Sequence, residues 1–126
     1  MFKNTPGSPS QQKGLYFENL ALNYLKKQGL ILLQRNYHCR FGEIDLVMQD
    51  ATGIVFIEIR FRGNIDYGSA FDSVNRYKQE KIIRTARLYL LQHGLYEQVP
   101  TRFDVVSATK QNGKTSLHWI RNAFQA

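Results

Sequence analysis

The chain has 126 residues, 43% hydrophobic and 21% charged, with 17 Lys and Arg against 10 Asp and Glu and a net charge of +7. That length allows one hydrophobic core and excludes two ordinary domains, and the apolar fraction excludes wholesale disorder. The positive excess points to a polyanionic partner, nucleic acid or an anionic membrane surface, and the single cysteine, Cys39, excludes an intramolecular disulfide.

Residues 1–10 hold Pro6, Gly7, Ser8 and Pro9 with almost no apolar content. They predict a disordered tail, leaving residues 11–126 as a single domain. Across residues 11–28, Phe17, Leu20, Ala21, Tyr24 and Leu25 recur at helical spacing, and Gly29 closes the helix. Residues 30–40 read as a strand. Residues 43–49 alternate, placing Ile44, Leu46 and Met48 on one face, and Asp50 to Gly53 form a tight turn into a third strand over residues 54–62. A loop over residues 63–70 follows. Asp72 or Ser73 then caps a second helix running to about His93, where Gly94 ends it. Its buried stripe is predicted as Val74, Tyr77, Ile82, Ala86, Tyr89 and Leu90. Strands over residues 102–109 and 115–120 flank an Asn112-Gly113 turn, and a short terminal helix is expected over residues 121–124. The longest apolar runs, residues 30–33 and 54–57, fall far short of the ~20 residues of a membrane-spanning helix. The first residues also lack the apolar segment of a signal peptide, so a cytoplasmic protein without a membrane partner is expected.

The hairpin carries the sharpest inference. With Ala51 and Thr52 as its two loop residues, Asp45 faces Glu58 and Glu43 faces Arg60, all four on one side. Ile44, Leu46, Ile57, Ile59 and Phe61 occupy the other. Like charges directly opposed in a sheet are destabilising, and a hard cation relieves them: Mg²⁺ takes one or two carboxylates plus water and phosphate oxygens. A solvated face with screened charges is the competing reading, and a one-residue slip in register would separate the side chains.

Residues 42–62, GEIDLVMQDATGIVFIEIRFR, together with Glu18, Ala21, Tyr24, Leu25 and Gly29, closely resemble the YraN-like uncharacterised proteins of bacteria. The match continues through Ser73-Val74, Lys78, Lys81, Ala86 and residues 102–106, RFDVV. That family resembles the PD-(D/E)xK nuclease superfamily and is similar in layout to archaeal Holliday junction resolvases. The resemblance implies a restriction endonuclease-like three-layer α/β/α fold with a mixed central sheet, in the order α-β-β-β-α-β-β. It implies Asp45 and Glu58 as metal ligands for Mg²⁺ or Mn²⁺ and Glu18 as a third carboxylate. Arg60 stands where the superfamily has lysine. Because arginine stays protonated, Arg60 cannot act as a general base; it either contacts phosphate or pairs with Glu43 in a site of weak or no activity.

Beyond the carboxylates, the second helix carries Arg76, Lys78, Lys81, Arg84 and Arg87, either a solvated face or a track for a nucleic-acid backbone. Lys78, Lys81, Arg84 and Arg62 are the candidate nucleic-acid contacts, and Tyr67 and Phe71 are either core aromatics or stacking platforms. His38, His93, His118 and Cys39 lack zinc-site spacing and read as structural, with Cys39 buried. Asp104, alternating with apolar strand neighbours, reads as paired with a basic residue. Three functions stay open: a metal-dependent endonuclease acting on DNA (in preference to RNA), including branched DNA; a non-catalytic nucleic-acid-binding module; or an interaction protein without nuclease activity. Junction resolvases are dimers, so a homodimer is compatible with the first, although no residue marks a dimer surface.

Overall fold

The turn expected at Ala51 and Thr52 is built by Asp50. Its Oδ1 accepts from Thr52 N and Thr52 Oγ1, both at 2.8 Å, and from Gly53 N at 3.0 Å, while Asp50 N donates to Gly53 O at 3.0 Å. Four bonds around one short side chain leave the strands a single register. We describe the chain from a computed structural model covering residues 9–62 and 74–126. Its elements are α1 (Pro9–Lys27), β1 (Ile31–Cys39), β2 (Gly42–Gln49), β3 (Ile54–Arg62), α2 (Arg76–Gln92), β4 (Thr101–Gln111) and β5 (Lys114–Phe124). The predicted order α-β-β-β-α-β-β is therefore present.

The strands form one mixed sheet in the order β1-β2-β3-β4-β5. Only β3 and β4 run parallel, joined through α2. β3 is buried on both faces and reads as a near-continuous apolar run for that reason. Its Ile54 and Phe56 join the cluster around Ile82, Ala86, Tyr89 and Leu90 of α2. Val55 and Ile57 join the opposite cluster around Ala21, Leu22 and Leu25 of α1. The helices thus cover opposite faces, giving a three-layer α/β/α arrangement.

Several expectations need correction. α1 begins at Pro9 rather than at residue 11; proline suits a first helical turn because its missing N–H has no partner to lose there. The cap of α2 is Asn75, whose side chain accepts from Lys78 N at 2.9 Å, so the cap sits later than Asp72 or Ser73. Tyr77 is 69% exposed and leaves the buried stripe, because it lies five residues, about 140° around the helix, from buried Ile82. The terminal helix is absent: β5 continues to Phe124, passing Asn122 at φ 52°. Cys39 is half-buried rather than buried, with its sulfur 3.7 Å from Thr85 Oγ1. The tail residues 1–8, the loop 63–70, and Tyr67, Phe71, Asp72 and Ser73 lie outside the described residues.

The expected face pattern also breaks in one place. Arg35 pairs with Leu46 and Tyr37 with Ile44. Arg35 reaches α1 through Glu18, and Leu46 belongs to the α1 cluster. Tyr37 and Ile44 belong to the α2 cluster. Both strands change face across Asn36, at φ 51°, and Asp45. Ile44 and Leu46 therefore lie on opposite sides of the sheet, contrary to the alternation read from their spacing.

Candidate functional site

Asp45 sits at this break. The paired ladder between β2 and β3 runs from Gln49↔Ile54 to Leu46↔Ile57 and stops there. One residue further, Asp45 Oδ2 accepts from Ile59 N at 2.7 Å. The carboxylate replaces a strand-to-strand bond and holds the fork open. Glu58 stands beside it, close enough for each carboxyl to shift the titration of the other. The four pairs hold the register expected from the turn, and Asp45 and Glu58 are the next residues beyond the last of them.

The electrostatics follow from that placement. Burial first, and then the negative charge of Glu58, push the Asp45 carboxyl from 3.8 up to about 8. Burial likewise raises Glu58, opposed by the positive charges of Arg60 and Lys78. Arg60 NH1 donates to Glu58 Oε2 at 3.1 Å. The ladder does not extend to an Arg60–Glu43 pair; Glu43 instead lies 3.6 Å from His38 Nε2.

The pair faces a cleft of about 190 Å³ lined by Gly42, Glu43, Asp45, Glu58, Lys78, Lys81 and Ile82. Three carboxylates from β2 and β3 and two lysines from α2 thus line one space. Glu18 is placed elsewhere. Arg35 Nε donates to its Oε1 at 3.1 Å, and Arg35 NH2 bonds the same oxygen. With its amide nitrogen turned toward the acids, Asn36 donates to Glu18 Oε2 and Glu43 Oε2, both at 3.0 Å. Among the described residues no three of His, Cys, Asp and Glu gather closely enough to hold an ion together, and Asn36 links Glu18 to Glu43 of the cleft lining. Of the other candidates, Arg84 lies one turn beyond Lys81 and outside the cleft lining, and the side chain of Arg62 lies outside the described residues.

Asp104, read as paired, is fully buried. It accepts from Arg102 Nε at 3.0 Å, Trp119 Nε1 at 2.9 Å and Asn122 N at 2.9 Å. Arg102 NH1 also donates to Asp50 Oδ2 at 2.5 Å, tying the β2–β3 turn to β4. Sequence reasoning missed Asn36. Its only signal was an Asn inside a strand, a residue type that tolerates the left-handed region.

Comparison with known proteins places the chain. The uncharacterised protein family UPF0102 matches residues 17–108. The chain belongs to that family. A UPF0102 protein of Legionella pneumophila (strain Corby) is 44% identical over 117 residues, 93% of this chain and 98% of the relative. One from Stutzerimonas stutzeri (strain A1501) is 47% identical over 119 residues, covering 94% and 99%. One from Psychromonas ingrahamii is 48% identical over 116 residues, covering 92% of each. This is the YraN-like family expected from residues 42–62. Among solved structures, Pyrococcus furiosus SfsA in complex with Ca²⁺ aligns with a TM-score of 0.38 and 11% identity. The alignment covers 89% of this chain and 63% of that longer one, a fit too loose to carry an argument.

Proposed function

We propose that this UPF0102 protein is a metal-dependent phosphodiesterase acting on DNA. The observation that carries the reading is the Asp45–Glu58 pair, half-buried and facing a cleft that Lys78 and Lys81 also line. A fold selected for stability alone has no use for two half-buried acids set side by side. Two carboxylates with space left for water and phosphate oxygens suit Mg²⁺ or Mn²⁺, and Asp45 and Glu58 would hold the ion. Bound there, a divalent cation would supply Lewis-acid polarisation of a phosphate oxygen. Ile59 N–H fixes the Asp45 carboxylate in place. Lys78 and Lys81 hold the flanking phosphates, and Arg60, permanently charged, stabilises negative charge developing on the phosphate. Glu18 supports the site only at a distance, through Asn36 and Glu43.

Calorimetric titration with Mn²⁺, without and then with DNA, tests this reading when the parent is compared with Asp45→Asn and Glu58→Gln. Saturable binding and cleavage, both abolished in each variant, are expected. Absence of binding even with DNA present, or an Asp45→Asn protein that cuts as fast as the parent, overturns it.

A second reading has one observation in its favour: Arg60 already gives Glu58 a cationic partner. A module that holds DNA without cutting it would show salt-sensitive binding, indifferent to divalent ions beyond their ionic strength.

A further inference from the structure

The basic row of α2 does not end at the cleft. Lys81, whose Cε lies 3.7 Å from the position a Cβ on Gly42 would take, packs against the β1–β2 turn. On one side of it stands Tyr77, 69% exposed, its ring centroid 5.5 Å from Lys81 Nζ. On the other side the turn presents Phe41. With Arg84, Arg87, Leu88 and Leu91, Phe41 lines a second cleft of about 270 Å³, and the Arg40 guanidinium lies 5.0 Å from its ring centroid. Lys78, Lys81, Arg84 and Arg87 follow one another every three residues, advancing about 4.5 Å per step along the helix. Each step also turns about 60° around the helix, so the row winds from the carboxylate cleft at Lys78 and Lys81 to the Phe41 cleft at Arg84 and Arg87.

A duplex keeps its base faces stacked inside and offers phosphates outside, so exposed Tyr77 and half-buried Phe41 would gain nothing from it. Unpaired bases stack on such rings while cations follow the backbone. We propose that this strip binds a single-stranded segment of DNA, with bases stacked on Tyr77 and Phe41 and phosphates held by Lys81, Arg84 and Arg87. The inference rests on DNA as the partner of the adjacent cleft, and it sets the preferred substrate as DNA with an unpaired strand beside the scissile bond.

The test is binding of labelled oligo(dT), and of a duplex of equal length, to the full chain in EDTA, which suppresses cleavage. Oligo(dT) should bind more tightly. Tyr77→Ala and Phe41→Ala should each weaken it by about tenfold, within the range of one base–aromatic stack, and leave duplex affinity unchanged. Tyr77 is a surface residue, so its replacement leaves the fold intact, to be checked by an unchanged melting temperature. Phe41→Trp keeps a ring and should retain affinity, with tryptophan fluorescence quenched by the oligonucleotide beyond that of the parent. Duplex binding as tight as oligo(dT), or parent-like affinity in both alanine variants, overturns the proposal. So does affinity lost in Lys81→Ala alone, which would mean phosphate contact only. A failed Mn²⁺ titration leaves this result standing, and failure here leaves metal-dependent cleavage of duplex DNA standing.

Discussion

At Asp45 two demands meet in one side chain: it ends a ladder by accepting from Ile59 N, and it stands against the charge of Glu58. Its folded-state pKa lies above the ordinary value, so the folded chain holds a proton that the unfolded chain releases near pH 3.8. Its contribution to stability is fully present below that pH and is lost as pH rises through about 8. The metal-free protein should accordingly melt at lower temperature at pH 9 than at pH 6. Asp45→Asn, which cannot ionise, should flatten that slope and melt above the parent at pH 9; parallel thermal curves for the two would contradict this. Asp50 behaves oppositely. Partial burial raises it, but hydrogen bonds from Thr52, Arg102 and Gly53 outweigh that and hold it well below the usual carboxylate range. The opposition of Asp45 to Glu58 was legible in the sequence because a two-residue turn sets the register. The separation of Glu18 was not, because it depends on Arg35 reaching it from β1 and on Asn36 leaving the regular strand conformation.

Among the elements, the β2–β3 hairpin is the best specified and the least tolerant. A Cβ at Gly53 would meet Pro100 O at 2.1 Å, and Ile54 N donates to that same oxygen at 3.0 Å. Gly53→Ala must push β4's leading residue away. We expect a loss of about 1–3 kcal/mol, the usual cost of overpacking, read as a lowered urea midpoint at unchanged m-value. The hydrophobic period placed α1, α2 and the five strands to within a few residues, and Ile82, Ala86, Tyr89 and Leu90 of α2 are buried as their spacing says. The ends escaped it. Arg121 and Asn122 carry no strand signal, and β5 passes through them because Asn122 N donates to buried Asp104, a tertiary bond invisible to local pattern. Tyr77 misled for the converse reason: an aromatic next to a helical stripe reads as core until the phase is fixed by packing.

For the whole molecule, the +7 net charge acquires a location in the cations that α2 presents past the carboxylate cleft. No helix among the described residues is long and apolar enough to cross a membrane. If Lys78, Lys81, Arg84 and Arg87 each neutralise one phosphate, log affinity for single-stranded DNA should fall against log salt with a slope of roughly −3. Lys81→Ala should make it shallower by about 0.7. A slope near zero would remove electrostatics from the account. The sheet itself has an uneven weave. β3 and β4 pair over nine residues, whereas β2 and β3 pair over only four before the fork at Asp45. That seam joins β1 and β2 to the rest of the sheet, and the two acids stand at its open end, one on each side. An ion gripped by both would act as a clasp across the seam. Loading the site should therefore slow hydrogen exchange along β2 and β3, making the chemistry of two carboxylates audible in the breathing of the whole sheet.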